Sequence, residues 1–167
     1  DKKELKLYPF GKRPTTYQAP DGLESIGYRV FDGCTRLTGI NLPEGLKTIC
    51  KEAFENCKGL TSIILPKELE TIGEDAFQNC TNLTSIIMLA ENMKHPDYLY
   101  EENLENCLID WVVGVASSGT FTKASSTTLP TSNHGIPNGW IVVNYDKPND
   151  NDNPNNEGPS PEVGNFG

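Results

Sequence analysis

The chain has 167 residues, 36% of them hydrophobic, with 14 Lys+Arg against 23 Asp+Glu and a formal charge of −9. That length suits one domain with a substantial core, and the acidic balance argues against nucleic-acid or anionic-membrane partners, which require concentrated basic charge. No run of about 18 apolar residues occurs, so no membrane insertion is expected.

Residues 1–11 read as a charged lead-in without the apolar stretch of a secretory signal, which leaves a processed precursor open. From residue 12 onward the sequence repeats. Residues 58–80 lie over 35–57 at a shift of 23, matching Pro43 with Pro66, Leu46 with Leu69, Ile49 with Ile72, Phe54 with Phe77 and Cys57 with Cys80. A further shift to 12–34 retains Pro20, Leu23, Ile26, Gly27, Phe31 and Cys34. A fourth copy begins with Leu83, Ile86 and Met88, drifts, and recovers Leu104 and Cys107. A period of this length in which no copy can bury its own apolar face describes one coil of a solenoid.

Within a coil, Leu60, Ile63 and Leu65 alternate as an inward-facing strand, which Pro66 ends because it has no N–H to give to a ladder. Leu69 and Ile72 form a second inward pair. Gly27 and Gly73 follow that pair and predict a corner with positive φ, although Cys50 fills the same slot. Ala76, Phe77 and Cys80 close the coil through a short turn. Stacked coils place their strands in parallel, about 4.8 Å apart, with each inward residue resting on its counterpart. Cys34, Cys57, Cys80 and Cys107 then form a buried ladder of small hydrophobes; disulfides between adjacent rungs are a minor alternative, and zinc fits poorly without a Cys-x-x-Cys pair.

The pattern L-x-x-I-x-L-P-x-x-L-x-x-I-G-x-x-A-F-x-x-C resembles the BspA-type leucine-rich repeat, closely over 12–89 and loosely over 90–115. The resemblance implies a right-handed superhelix, mainly-β or α/β, with parallel strands on one face and turns or short helical turns on the other. It also implies an exported, surface-attached bacterial protein with about four to five repeats, used for adhesion or interaction. The stretch from Gly119 to Trp140 resembles endings that follow such repeats.

Beyond Leu89 the fourth coil carries His95, Tyr98 and Tyr100, a wider coil or an exposed binding knob, with Pro96 suited to open a short helix. Trp111 to Val115 predicts a fifth strand, Phe121 to Lys123 a sixth, and Trp140 to Tyr145 a terminal strand after a Pro137-Asn138-Gly139 turn. The organisation expected is a lead-in over 1–11, a solenoid over 12–115, a C-terminal β cap over 116–145, and an acidic Asn/Pro-rich tail over 146–167. Val163 and Phe166 are the only apolar anchors in that tail, which cannot offset much ordering entropy by burial. A calcium loop starting at Asp150 fails because its sixth and twelfth positions are Asn155 and Pro161.

No catalytic residue, metal site or cofactor is expected. His95 and His134 have no nucleophile or ligand at useful spacing, and Glu52, Glu55, Glu70, Glu74 and Asp75 read as a solvated outer face. What remains is the strand face. The outward positions beside Ile40, Ile63 and Ile86 put Asn41, Ile64 and Ile87 in one column and Gly39, Ser62 and Ser85 in the other. Asn41, Ser62, Ile64, Ser85, Ile87, Tyr98 and Tyr100 are the candidate binding residues for a protein or glycan ligand. A passive spacer is the competing reading, and an enzyme is disfavoured.

Overall fold

The computed structural model describes residues 3–8, 14–91, 93, 110–127, 129 and 135–146. These form ten short strands and, among the described residues, no helix. Two parallel ladders run side by side up the stack. The first joins β1 (Glu4–Leu5), β3 (Ser25–Ile26), β5 (Thr48–Ile49) and β7 (Thr71–Ile72) in that order. The second runs from the pair β2 (Thr16–Gln18) and β4 (Gly39–Asn41) to β6 (Ser62–Leu65), β8 (Ser85–Met88), β9 (Thr120–Ala124) and β10 (Ile141–Tyr145). Sequence reading located the strand of this second ladder; the inward Leu-x-x-Ile pair proves to carry a ladder of its own, two residues wide.

The register is the sequence period made physical. Thr16 pairs with Gly39 and Ser62 with Ser85, 23 residues on, while Thr48 pairs with Ser25 and Thr71 with the same spacing. Between the ladders, each Pro-x-x-Leu forms a tight turn in which the leucine N–H donates to the proline carbonyl: Leu23 to Pro20 at 3.3 Å, Leu46 to Pro43 at 3.1 Å, Leu69 to Pro66 at 3.1 Å. The inward residues are sealed from water: Leu46, Ile49, Leu60, Leu65, Ile72, Leu83 and Ile86 all stand at 0% exposure. Each such side chain contributes on the order of 1.5–3 kcal/mol of burial free energy.

Phe31, Phe54 and Phe77 form a face-to-face column, with ring centroids 4.9 and 5.0 Å apart and planes within 3°. Tyr8 closes the lower end, its ring 4.8 Å from Phe31 and 5.1 Å from Tyr17. Trp111 closes the upper end edge-on, 5.8 Å from Phe77, and meets Phe121 at 6.4 Å. Parallel to the rings run Cys34, Cys57 and Cys80, which are buried and form no disulfide. Cys57 Sγ donates to Phe31 O at 3.0 Å and Cys80 Sγ to Phe54 O at 3.2 Å, so each thiol binds the coil beneath it. The Cys34 thiol pulls the Cys57 pKa down, but the Cys80 thiol and burial together raise it well above the ordinary range. A reactive thiolate is thereby disfavoured.

Three expectations change. Gly27 and Gly73 do not adopt positive φ; the left-handed residues lie two and six positions later, at Arg29, Glu52 and Asp75 and at Gly33, Asn56 and Asn79. The glycine at 73 serves close approach instead, since a Cβ there would stand 2.3 Å from the Lys51 nitrogen. Asn suits the second left-handed position because its short polar side chain tolerates that conformation. The amides then link rung to rung, Asn79 donating to Asn56 and Asn56 to Asp32, each at 3.2 Å.

Second, Trp111 to Gly114 is a corner turn and not a fifth strand. Phe77 N–H donates to Trp111 O and Asn79 N–H to Val113 O, each at 2.8 Å, reproducing the bonds of Phe54 to Ala76 and Asn56 to Gln78. Asp110 and Gly114 accordingly take the two left-handed positions. Third, this register gives the slot above Cys80 to Val115, which packs against the core. Cys107 lies outside the described residues, so the described thiol ladder has three rungs.

Beyond this turn the ladder continues although the spacing does not. Thr120 pairs with Ser85, and Ile141 pairs with Thr120, so 35- and 21-residue coils succeed the 23-residue ones. Both indoles tie these coils together: Trp111 Nε1 donates to Gly135 O at 3.0 Å and Trp140 Nε1 to Ala116 O at 2.8 Å. The segment expected as a cap over 116–145 therefore supplies two further parallel rungs.

Candidate binding face

Side chains alternate across a strand, so every second residue of the larger ladder faces outward, and parallel register stacks these residues in columns. One column reads Thr16, Gly39, Ser62, Ser85, Thr120, Ile141; the other reads Gln18, Asn41, Ile64, Ile87, Thr122, Val143. Asn41, Ser62, Ile64, Ser85 and Ile87 are thus brought onto a single face. Tyr98 and Tyr100, with His95 and His134, lie outside the described residues.

The face is graded along the stack. At its lower end it is amide-rich, with Asn41 Nδ2 donating to Gln18 Oε1 at 2.9 Å. Its middle is aliphatic, Ile64 and Ile87 being half-buried beside half-buried serines. Its upper end is the most open, with Ile141 69% and Val143 44% exposed. Between β4 and β6 the strand pairing is interrupted, though Thr61 N–H still donates to Thr38 O at 3.2 Å. At the C-terminal ends of these strands lies a solvent-open groove of about 860 Å³, where Asn41 and Gln18 meet Ile64 and Leu89 and where Glu44 and Lys67 form part of the rim. Gln18 and Leu89 were not among the residues singled out from the sequence. Gln18 was within reach, one period before Asn41; Thr122 and Val143 were not, because the coil length changes before each of them.

The turn-built corners hold a cluster of ion pairs. Arg29 stands between Asp32 (2.7 Å), Glu52 (3.4 Å) and Glu55 (3.4 Å), and Lys51 pairs with Glu74. Partial burial, followed by the charges of Asp32 and Glu52, raises the Glu55 pKa; partial burial, followed by Glu74, raises that of Asp75. Among the described residues no three His, Cys, Asp or Glu side chains converge as metal ligands, and no helix is long and apolar enough to cross a membrane.

The sequence matches the model of the BspA type leucine rich repeat region in six copies over residues 10–133, against the four to five expected from the repeat count. No curated protein matches it. Two crystal structures share the fold. A leucine-rich repeat protein from Eubacterium ventriosum is 23% identical with a TM-score of 0.54, over 74% of this chain and 31% of the other. The pneumococcal vaccine antigen PcpA is 22% identical with a TM-score of 0.60, over 86% of this chain and 40% of the other. The chain thus spans less than half the length of either. Repeat families of this kind are typical of surface and protein-interaction proteins and are generally non-enzymatic.

Proposed function

Since the chain belongs to the BspA-type leucine-rich repeat family, we propose that it is an exported, cell-surface interaction module whose ligand seats on the outer face of the larger ladder. The observation that carries this reading is the partly buried, outward-facing Ile64–Ile87 pair, in register with Thr122 and Val143 and bordered by Ser62, Ser85 and Thr120. Aliphatic side chains beside small hydroxyls admit a close, partly desolvated approach, which is where interface energy concentrates. A passive spacer has no use for an aliphatic column held at the surface.

The test is a binding screen against extracellular-matrix proteins and glycans with the Ile64→Asp/Ile87→Asp double variant as control. Binding to a matrix protein should be saturable and fall at least tenfold in the variant, with the far-UV circular dichroism spectrum preserved at the assay temperature. Undiminished affinity of every captured ligand for the variant would remove the face from consideration.

A further inference from the structure

The groove between β4 and β6 exposes main chain as well as side chains. Successive coils repeat the same backbone bonds one period apart, and two of these bonds fail at a single level. Ala19 N–H donates to Asn41 O at 3.0 Å, but one period on Leu42 N–H is not bonded to Ile64 O. Leu89 N–H donates to Leu65 O at 2.9 Å. One period earlier the donor would be Pro66, which has no N–H to give to Leu42 O. Within the described residues Leu42 is thus left with its donor and its acceptor both unpaired. The join between the two strands persists at their N-terminal ends, where Thr61 N–H meets Thr38 O, and fails at their C-terminal ends. Leu42 lines the groove of about 860 Å³ that opens there.

We infer that this groove docks an extended peptide segment of a partner protein, apolar at its centre and basic at its flanks, whose main chain pairs with Leu42. A donor and an acceptor on one residue are what an adjoining strand requires. A single peptide residue, paired as in an antiparallel ladder, gives its N–H to Leu42 O and accepts the N–H of Leu42. Ile64, Pro66 and Leu89 supply an apolar wall for the side chains of such a segment. Of the polar side chains on the same wall, Gln18 and Asn41 already bond each other and Ala19 O, so the unmet hydrogen bonds belong to the main chain. Charge selects the flanks. Glu44 and Glu68 are exposed on the rim against the one cation Lys67, none of the three enters an ion pair, and the chain as a whole carries −9. Basic residues on the partner would complement that rim and be steered toward it. The inference rests on the preceding reading only in taking the ligand to be a protein, since its contacts centre on Leu42 and not on Ile87.

The experiment titrates the isotope-labelled full chain with the acetylated, amidated pentapeptide Lys-Val-Leu-Val-Lys and follows backbone amides by NMR. The Leu42 amide should shift saturably and exchange more slowly with solvent. Replacing both peptide lysines by glutamate should weaken binding about tenfold. N-methylation of the three apolar peptide residues, which removes their donors, should weaken it about threefold to tenfold. The Glu44→Lys/Glu68→Lys protein, altered only at exposed positions, should lose the preference for lysine over glutamate. A Leu42 amide unmoved by the peptide would overturn the inference, as would equal affinity for the glutamate peptide. So would a Leu42 shift that grows with protein concentration before peptide is added, which would make a second copy the occupant. Shifts confined to Ile87 and Thr122 would overturn the groove and leave the face standing. Saturable shifts at Leu42 with no ligand captured in the matrix screen would uphold the groove and count against the face.

Discussion

Residues 14–90 and residues 110–146 solve one packing problem in two ways. In the lower part every coil is 23 residues long and the same residue types recur at each level: phenylalanine on phenylalanine, cysteine on cysteine, isoleucine on isoleucine. In the upper part coil length changes to 35 and then 21, the stacked rings give way to an edge-on tryptophan, and Val115 replaces the cysteine, yet the parallel register is unbroken. Hydrogen-bond register and inward alternation are thus the constraints the solenoid must keep. Residue identity and coil length can vary, provided some side chain fills each level of the core.

The largest effect should come from hollowing the regular part. Phe54→Ala opens a void between two stacked rings in the middle of the column and should cost about 3–5 kcal/mol, read from urea unfolding. If the ring stack were incidental, the loss would instead resemble that of a half-exposed residue. Trp111→Phe tests the irregular part: bulk is largely retained, but the bond from Nε1 to Gly135 O is lost and its acceptor is stranded in a buried site. A loss of about 1–3 kcal/mol is expected. A larger loss than for Phe54→Ala would show the upper coils to be the more tightly specified region.

Backbone approach sharpens the contrast further. Gly73→Ala should cost about 1–3 kcal/mol, because its Cβ would meet the Lys51 nitrogen of the coil below. Gly45→Ala, where nothing lies within 4 Å and φ is ordinary, should be neutral or stabilising by a few tenths. Equal effects would disprove the close-approach argument.

The smallest effect is electrostatic. The Asp75 pKa is raised in the folded state, so the native protein holds this proton more tightly than the unfolded chain, and the contribution of Asp75 to stability declines as pH rises through the interval between the two values. Asp75→Asn removes the repulsion, keeps an oxygen for Gln78 and suits the positive φ. It should raise the melting temperature by about 1–2 °C at neutral pH. The gain should shrink on acidification below the ordinary carboxylate range, and a gain constant with pH would assign it to backbone conformation alone.

How much of this was legible followed from the period. Wherever a residue had a counterpart 23 positions away, its level and its direction could be read, so Ile64 and Ile87 were placed on one face and Phe31, Phe54 and Phe77 in one core. The corner was misplaced by two residues because glycine signals close approach as well as positive φ, and sequence does not distinguish the two uses. Trp111 to Val115 has strand composition but turn geometry, since its apolar residues answer to the core beneath them. With no periodic counterpart, Thr122, Val143 and Ile141 could not be assigned to the face until the register was known.

The central claim is that one register runs through both parts, and it is most directly tested at their junction. Ile87 and Thr122 are outward partners on adjacent strands, whereas Ile87 and Thr120 are diagonal. Directly paired residues fall within the Cα separation a disulfide spans, about 4.4–6.8 Å, and diagonal ones fall outside it. Under mild oxidation the Ile87→Cys/Thr122→Cys protein should form the intramolecular disulfide nearly quantitatively, and the Ile87→Cys/Thr120→Cys protein should remain reduced at both sites. Preferential cross-linking of the second pair would contradict the register, and with it the continuation of the β6–β8 ladder into the upper coils.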